Sequence, residues 1–85
     1  MDLQTRTVSV TDLISLDLIL WEGQLAMVIA KISHHPEIMF LKSGICCSII
    51  SGGTVELVLV TERLKVEAKY PKWYEVAKQM VLEKI

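Results

Sequence analysis

The stretch Leu16 to Ile32, LDLILWEGQLAMVIAKI, constrains the fold more than any other part of this chain. Both of its arms are rich in Leu, Ile and Val, which suit a pleated surface. They meet at Glu22-Gly23, where glycine can take the positive φ that a tight hairpin turn requires. The first arm places Leu16, Leu18 and Leu20 on one side and Asp17, Ile19 and Trp21 on the other. The second opposes Leu25, Met27 and Ile29 to Ala26, Val28 and Ala30. Both sides are largely apolar, whereas a strand wetted on one face alternates cleanly with polar residues. These strands are therefore either central in a closed barrel or covered on the second face by a helix or another chain.

The surplus of apolar side chain bears on assembly. A chain of 85 residues is one domain, 1–85, and buries only roughly 60 to 65% of the surface its unfolded form exposes. Yet 52% of its residues are hydrophobic and 22% are charged, more apolar matter than one thin core hides comfortably. Self-association is the simplest way to cover the remainder. A net charge of -1 provides no basic field for a polyanion, so any nucleic-acid contact has to rest on a local patch. The opening MDLQTRT lacks the positive region and apolar run of a secretory signal, and Leu13 to Trp21 falls short of the roughly 20 apolar residues that span a bilayer. A soluble, cytoplasmic protein without membrane contact is expected. Adjacent Cys46 and Cys47 make no disulfide framework and suit a reducing compartment.

Taken in order, residues 1–6 read as a loose start and Thr7 to Thr11 as a short edge strand with Val8 and Val10 facing one way. From there to Val28 the chain carries Val8-x-Val10-x-Asp12-Leu13-x-x-x-Asp17-x-Ile19-x-x-x-Gly23-x-x-x-x-Val28. This resembles the opening of small SH3-like β-barrels, of the KOW and elongation factor P N-terminal type, and the first strands of Hint domains. Asp12, Leu13 and Asp17 match the turn with which those families enter their first long strands. Leu16 stands where they usually carry glycine, so the turn here is not expected to rely on a left-handed glycine. Hint chemistry needs a nucleophile at the first position, whereas this chain begins Met-Asp. The resemblance implies a barrel shape and carries no site residues across.

Ser33 to Glu37, SHHPE, reads as a loop around Pro36, followed by a strand from Glu37 to Leu41. Lys42-Ser43-Gly44 turns the chain into Ile45 to Ile50, Ser51-Gly52-Gly53 turns it again, and Thr54 to Val60 runs back. Thr61 to Arg63 breaks the run, and Leu64 to Ala68 resumes a strand-like alternation with Lys65 and Glu67 wet. From Pro71 the period changes. Trp73, Val76, Ala77, Met80, Val81 and Ile85 recur at spacings of three and four, which predicts an amphipathic helix over 71–85 held by its apolar stripe.

No spacing in the chain forms a catalytic, metal-binding or nucleotide-binding signature. His34, His35 and Glu37 with Cys46 or Cys47 are ligand types for a metal. However, neighbouring strand residues point to opposite faces, and a solvated His pair is the plainer reading. A Cys-His nucleophile has no third group to orient it. Asp12, Asp17 and Glu22 sit at turns, where carboxylates bond local backbone more often than they do acid-base work. Ser51-Gly52-Gly53-Thr54 reads as a hairpin turn, since no helix follows it to form a phosphate cradle. Lys65, Lys69, Lys72, Lys78 and Lys84 with Tyr70, Trp73 and Tyr74 form the one basic-aromatic cluster, although Glu67, Glu75 and Glu83 are interleaved.

The expected fold is mainly β: an SH3-like barrel or strongly bent antiparallel meander of five or six strands over 7–68, with a C-terminal amphipathic helix over 71–85. The alternative is an α+β sheet with the helix on one face. The expected function is a non-enzymatic binding or assembly module without a cofactor, acting as a homo-oligomer or by occupying another protein's surface. The alternative is a nucleic-acid or ribonucleoprotein module using the Lys69 to Lys78 region. The interaction residues expected on these readings are Trp21, Lys69, Tyr70, Lys72, Trp73, Tyr74 and Lys78.

Overall fold

The computed structural model describes residues 3–32, 35–50 and 52–83. The central hairpin forms as the sequence predicts, with β2 (Leu18–Trp21) paired antiparallel to β3 (Gln24–Ile32). Glu22 and Gly23 close it with φ of 52° and 77°, the double left-handed geometry whose twist matches that of the flanking strands. β4 (His35–Phe40) and β5 (Cys46–Ser48) continue the meander outward from β3. β6 (Thr54–Val58) returns to the free side of β2, and β1 (Thr5–Ser9) pairs with β6, so the six strands lie in the order β1-β6-β2-β3-β4-β5.

Both apolar faces of the central hairpin are covered within the chain, by two different means. On one side Leu18, Leu25, Met27 and Ile29 pack with Met39 and Val58 beneath two helices, α1 (Arg63–Lys69) and α2 (Pro71–Glu83). On the other, Ile19, Ala26 and Val28 share a cluster with Val10 and Leu13 from beyond β1 and with Ile38 and Ile49 from the β4 and β5 side. Residues from both ends of the strand order meet in one cluster, which requires the sheet to curl tightly. A bulge between Val28 and Ala30 supplies part of the bend. The Lys31 ammonium ties the end of β3 to the carbonyls of Thr11 and Leu13. Complete burial of Leu13, Leu18, Ile19 and Met27 stabilises the fold by roughly 1.5–3 kcal/mol apiece.

The turn into β2 departs from its expected form. Leu16 itself takes φ of 78°, a conformation that costs a non-glycine residue about 1–2 kcal/mol. Its surroundings hold it there. The Leu16 amide donates to the Val28 carbonyl (2.8 Å), the Val28 amide to the Asp17 carbonyl (2.8 Å), and the Ile14 amide to Asp17 Oδ2 (2.9 Å). The Arg63 guanidinium donates to the Leu16 carbonyl from α1.

Several boundaries differ from the sequence reading. Thr5 and Arg6 belong to β1 and are not a loose start, while Val10–Asp12 closes into a 3-10 turn before Thr11 can extend the strand. His35, Pro36 and Glu37 open β4 and are not loop, with Pro36 near the end of the strand, where its missing donor is tolerated. β5 holds three residues and β6 ends at Val58, because Val60–Glu62 coils into a second 3-10 turn that feeds α1. The largest correction is Leu64 to Ala68. It is helical and not a strand: its Leu, Lys, Glu and Ala favour helix, and of the alternating apolar residues only Val66 reaches the core, Leu64 being 77% exposed. Pro71 begins α2 as expected, and Tyr70, forced out of helical geometry ahead of it, separates the two helices. The buried face of α2 is Tyr74, Ala77 and Val81, with Trp73 and Met80 at its margin and Val76 outside it. Ser33, His34, Ser51, Lys84 and Ile85, which figured in the loop, metal, turn, basic-cluster and stripe readings, lie outside the described residues.

Candidate functional site

Most of the basic-aromatic segment assembles where α1 meets α2, but its aromatics serve different purposes. Tyr74 is a core residue, its hydroxyl accepting from Arg63 Nη1 at 3.5 Å. Trp73 is half-buried and lies flat on the β4–β5 turn. A Cβ added to Gly44 would come within 2.7 Å of the indole, so glycine there permits the contact as well as its φ of 75°. Lys72 Nζ stands 4.8 Å from the centre of the Trp73 ring and Lys69 Nζ 5.8 Å from that of Tyr70. These cations occupy ring faces that a nucleic-acid base would need for stacking. Lys65 is held by Glu62 at 2.9 Å, and Trp21 packs on the opposite face of the sheet, away from the helices.

Beside this junction is a cleft of about 300 Å³, bounded by the tip of the central hairpin, the β4–β5 turn and the link between α1 and α2. Leu3, Leu20, Leu25 and Tyr70 form its apolar walls, and Lys42 and Lys69 come to it from distant parts of the chain. Among the described residues no carboxylate lines it. Lys42 did not stand out in the sequence, where it is one residue of a Lys-Ser-Gly turn. Only the packing of that turn beside the helix junction brings it to the same cleft as Lys69. A second hollow, of about 230 Å³, includes Arg6, Asp12, Asp17 and Ile14. There Asp17 is committed to the turn bond with Ile14, and Glu22 lies at the far end of β2, so the three acids form no common site.

The metal-ligand types also stay apart. Cys46 pairs with Met39 and Cys47 with Ile38, sending the two thiols to opposite faces, and His35 and Glu37 lie on β4. Among the described residues no three His, Cys, Asp or Glu side chains gather as a metal site would require. Partial desolvation, with the nearby charges of Glu22 and Cys46 added, pushes the thiol of the otherwise exposed Cys47 up from its usual range and so lowers its thiolate content at neutral pH.

β5 is itself a conspicuous surface. Its three residues are exposed, its outer edge is unpaired among the described residues, and Ile45 and Ile50 beside it are 63% and 77% exposed. The opposite edge, β1, carries Arg6 and the hydroxyls of Thr5 and Thr7, which bond the Glu56 carboxylate at 3.2 and 2.6 Å.

No family model, curated protein or solved structure matches this chain. Among the described residues no helix is long and apolar enough to cross a membrane.

Proposed function

We propose that this chain is a non-enzymatic binding and assembly module that self-associates by pairing β5 of one copy with β5 of another. The observation that carries the reading is the contrast between the two sheet edges. Sheet proteins blunt exposed edges with charge or proline, as Arg6 does on β1, whereas Ile45 to Ile50 has neither. Two identical edge strands running antiparallel form a closed, two-fold interface in which backbone donors and acceptors are mutually satisfied. The hairpin faces are covered internally, and the apolar surface left for a partner flanks the β5 edge.

Light scattering behind gel filtration tests this directly, with a dimer mass expected for the wild type. Ile45→Lys and Ile50→Lys introduce charge at exposed positions and should yield a folded monomer whose thermal stability no longer rises with protein concentration. A monodisperse wild-type monomer at high micromolar concentration would defeat the proposal.

A further inference from the structure

We infer that the cleft between the hairpin tip and the helix junction binds a small organic anion with an apolar body, of the class of aliphatic or aromatic carboxylates. The inference is independent of the β5 interface, which shares no residue with the cleft. Acidic residues outnumber basic ones, ten to nine, so two lysines lining one cleft, with no carboxylate beside them among the described residues, is a local arrangement and not a by-product of a basic protein. Lys42 and Lys69 have no ion-pair partner among the described residues, in contrast to Lys65.

The walls define the rest of the ligand. Leu3, Leu20 and Tyr70 are each only partly buried against the core, and together with Leu25 they present apolar surface in the cleft that the two lysines also line. An inorganic anion would use the lysines and leave this surface wet, while a neutral hydrocarbon would use the surface and leave the lysines unpaired. A carboxylate on a short hydrocarbon satisfies both. A volume of about 300 Å³ lies at the small end of the range of small-molecule sites and does not suit an oligonucleotide segment.

Octanoate is a suitable probe, with 1-octanol as its neutral counterpart, each titrated into the isotopically labelled protein while amide resonances are followed. Saturable shifts centred on Gln24, Leu25 and Tyr70 are expected for octanoate, with octanol much weaker. Lys42→Gln and Lys69→Gln should each weaken octanoate, and the pair together by about tenfold or more, without altering octanol. Lys69→Arg should retain binding, and Lys78→Gln, outside the cleft, should leave it unchanged. Equal affinity for octanoate and octanol, equal sensitivity to Lys78→Gln, shifts centred elsewhere, or no saturable binding in the millimolar range would each overturn the inference.

Discussion

Glu22 and Leu16 hold left-handed backbone for different reasons, and they respond differently to change. Glu22 is exposed, and its φ of 52° is set by the two-residue turn that it shares with Gly23. Asparagine is preferred over glutamate at that position because its short side chain tolerates the left-handed region. Glu22→Asn should therefore raise stability by about 0.5–1 kcal/mol, measurable as a higher urea midpoint with an unchanged slope. Gly23→Val, placing a β-branched residue at φ of 77°, should move the midpoint the other way. Leu16 is locked by backbone bonds and by Arg63, and its side chain packs against the helical side of the core. Leu16 holds this conformation without being glycine because its amide bond to Val28 and its carbonyl bond from Arg63 are made by its backbone and do not depend on its side chain.

Among the elements, α2 and the junction of β1 with α1 provide the clearest tests. Tyr74→Ala removes a buried aromatic, so a loss of about 3–5 kcal/mol is expected in denaturant melts, while Leu82→Ala, at 43% exposure, should cost far less. Glu62 is buried and receives both the Lys65 ammonium and the Gln4 amide, at 3.1 Å for the latter. These bonds, that to Lys65 foremost, hold its carboxyl below the ordinary glutamate range against the opposing effect of burial. Since the folded value lies below the unfolded one, the stabilisation is complete above the ordinary range and is lost as the pH falls through the folded value. Glu62→Gln should accordingly flatten the acid side of a plot of stability against pH. The hairpin was legible because both its arms and its turn pointed one way, and α2 because thirteen residues carry a periodic stripe. α1 was hidden because seven residues with a single buried position have no stripe, and the alternation of Leu64, Val66 and Ala68 imitates a strand. That same brevity obscured the cleft. Lys42 and Lys69 come to one cleft only through the packing of a turn beside the α1–α2 link, which no local pattern records.

Across the whole molecule, the pairing of first and last strands has a consequence for how the chain is made. β2 to β5 form consecutive local pairs and can assemble as soon as they emerge from synthesis. β1 precedes them all, yet its partner β6 follows them all, and the bond from Gln4 reaches Glu62 still later. The helices that cover Leu18, Met27 and Met39 come last. Until they arrive, a growing chain presents a half-built sheet with one apolar face bare and β2 lacking its β6 neighbour, a state in which contact with other nascent chains competes with completion. α2 thus acts as a seal on the sheet: a chain cut before it leaves the face of Leu18, Met27 and Met39 without that cover.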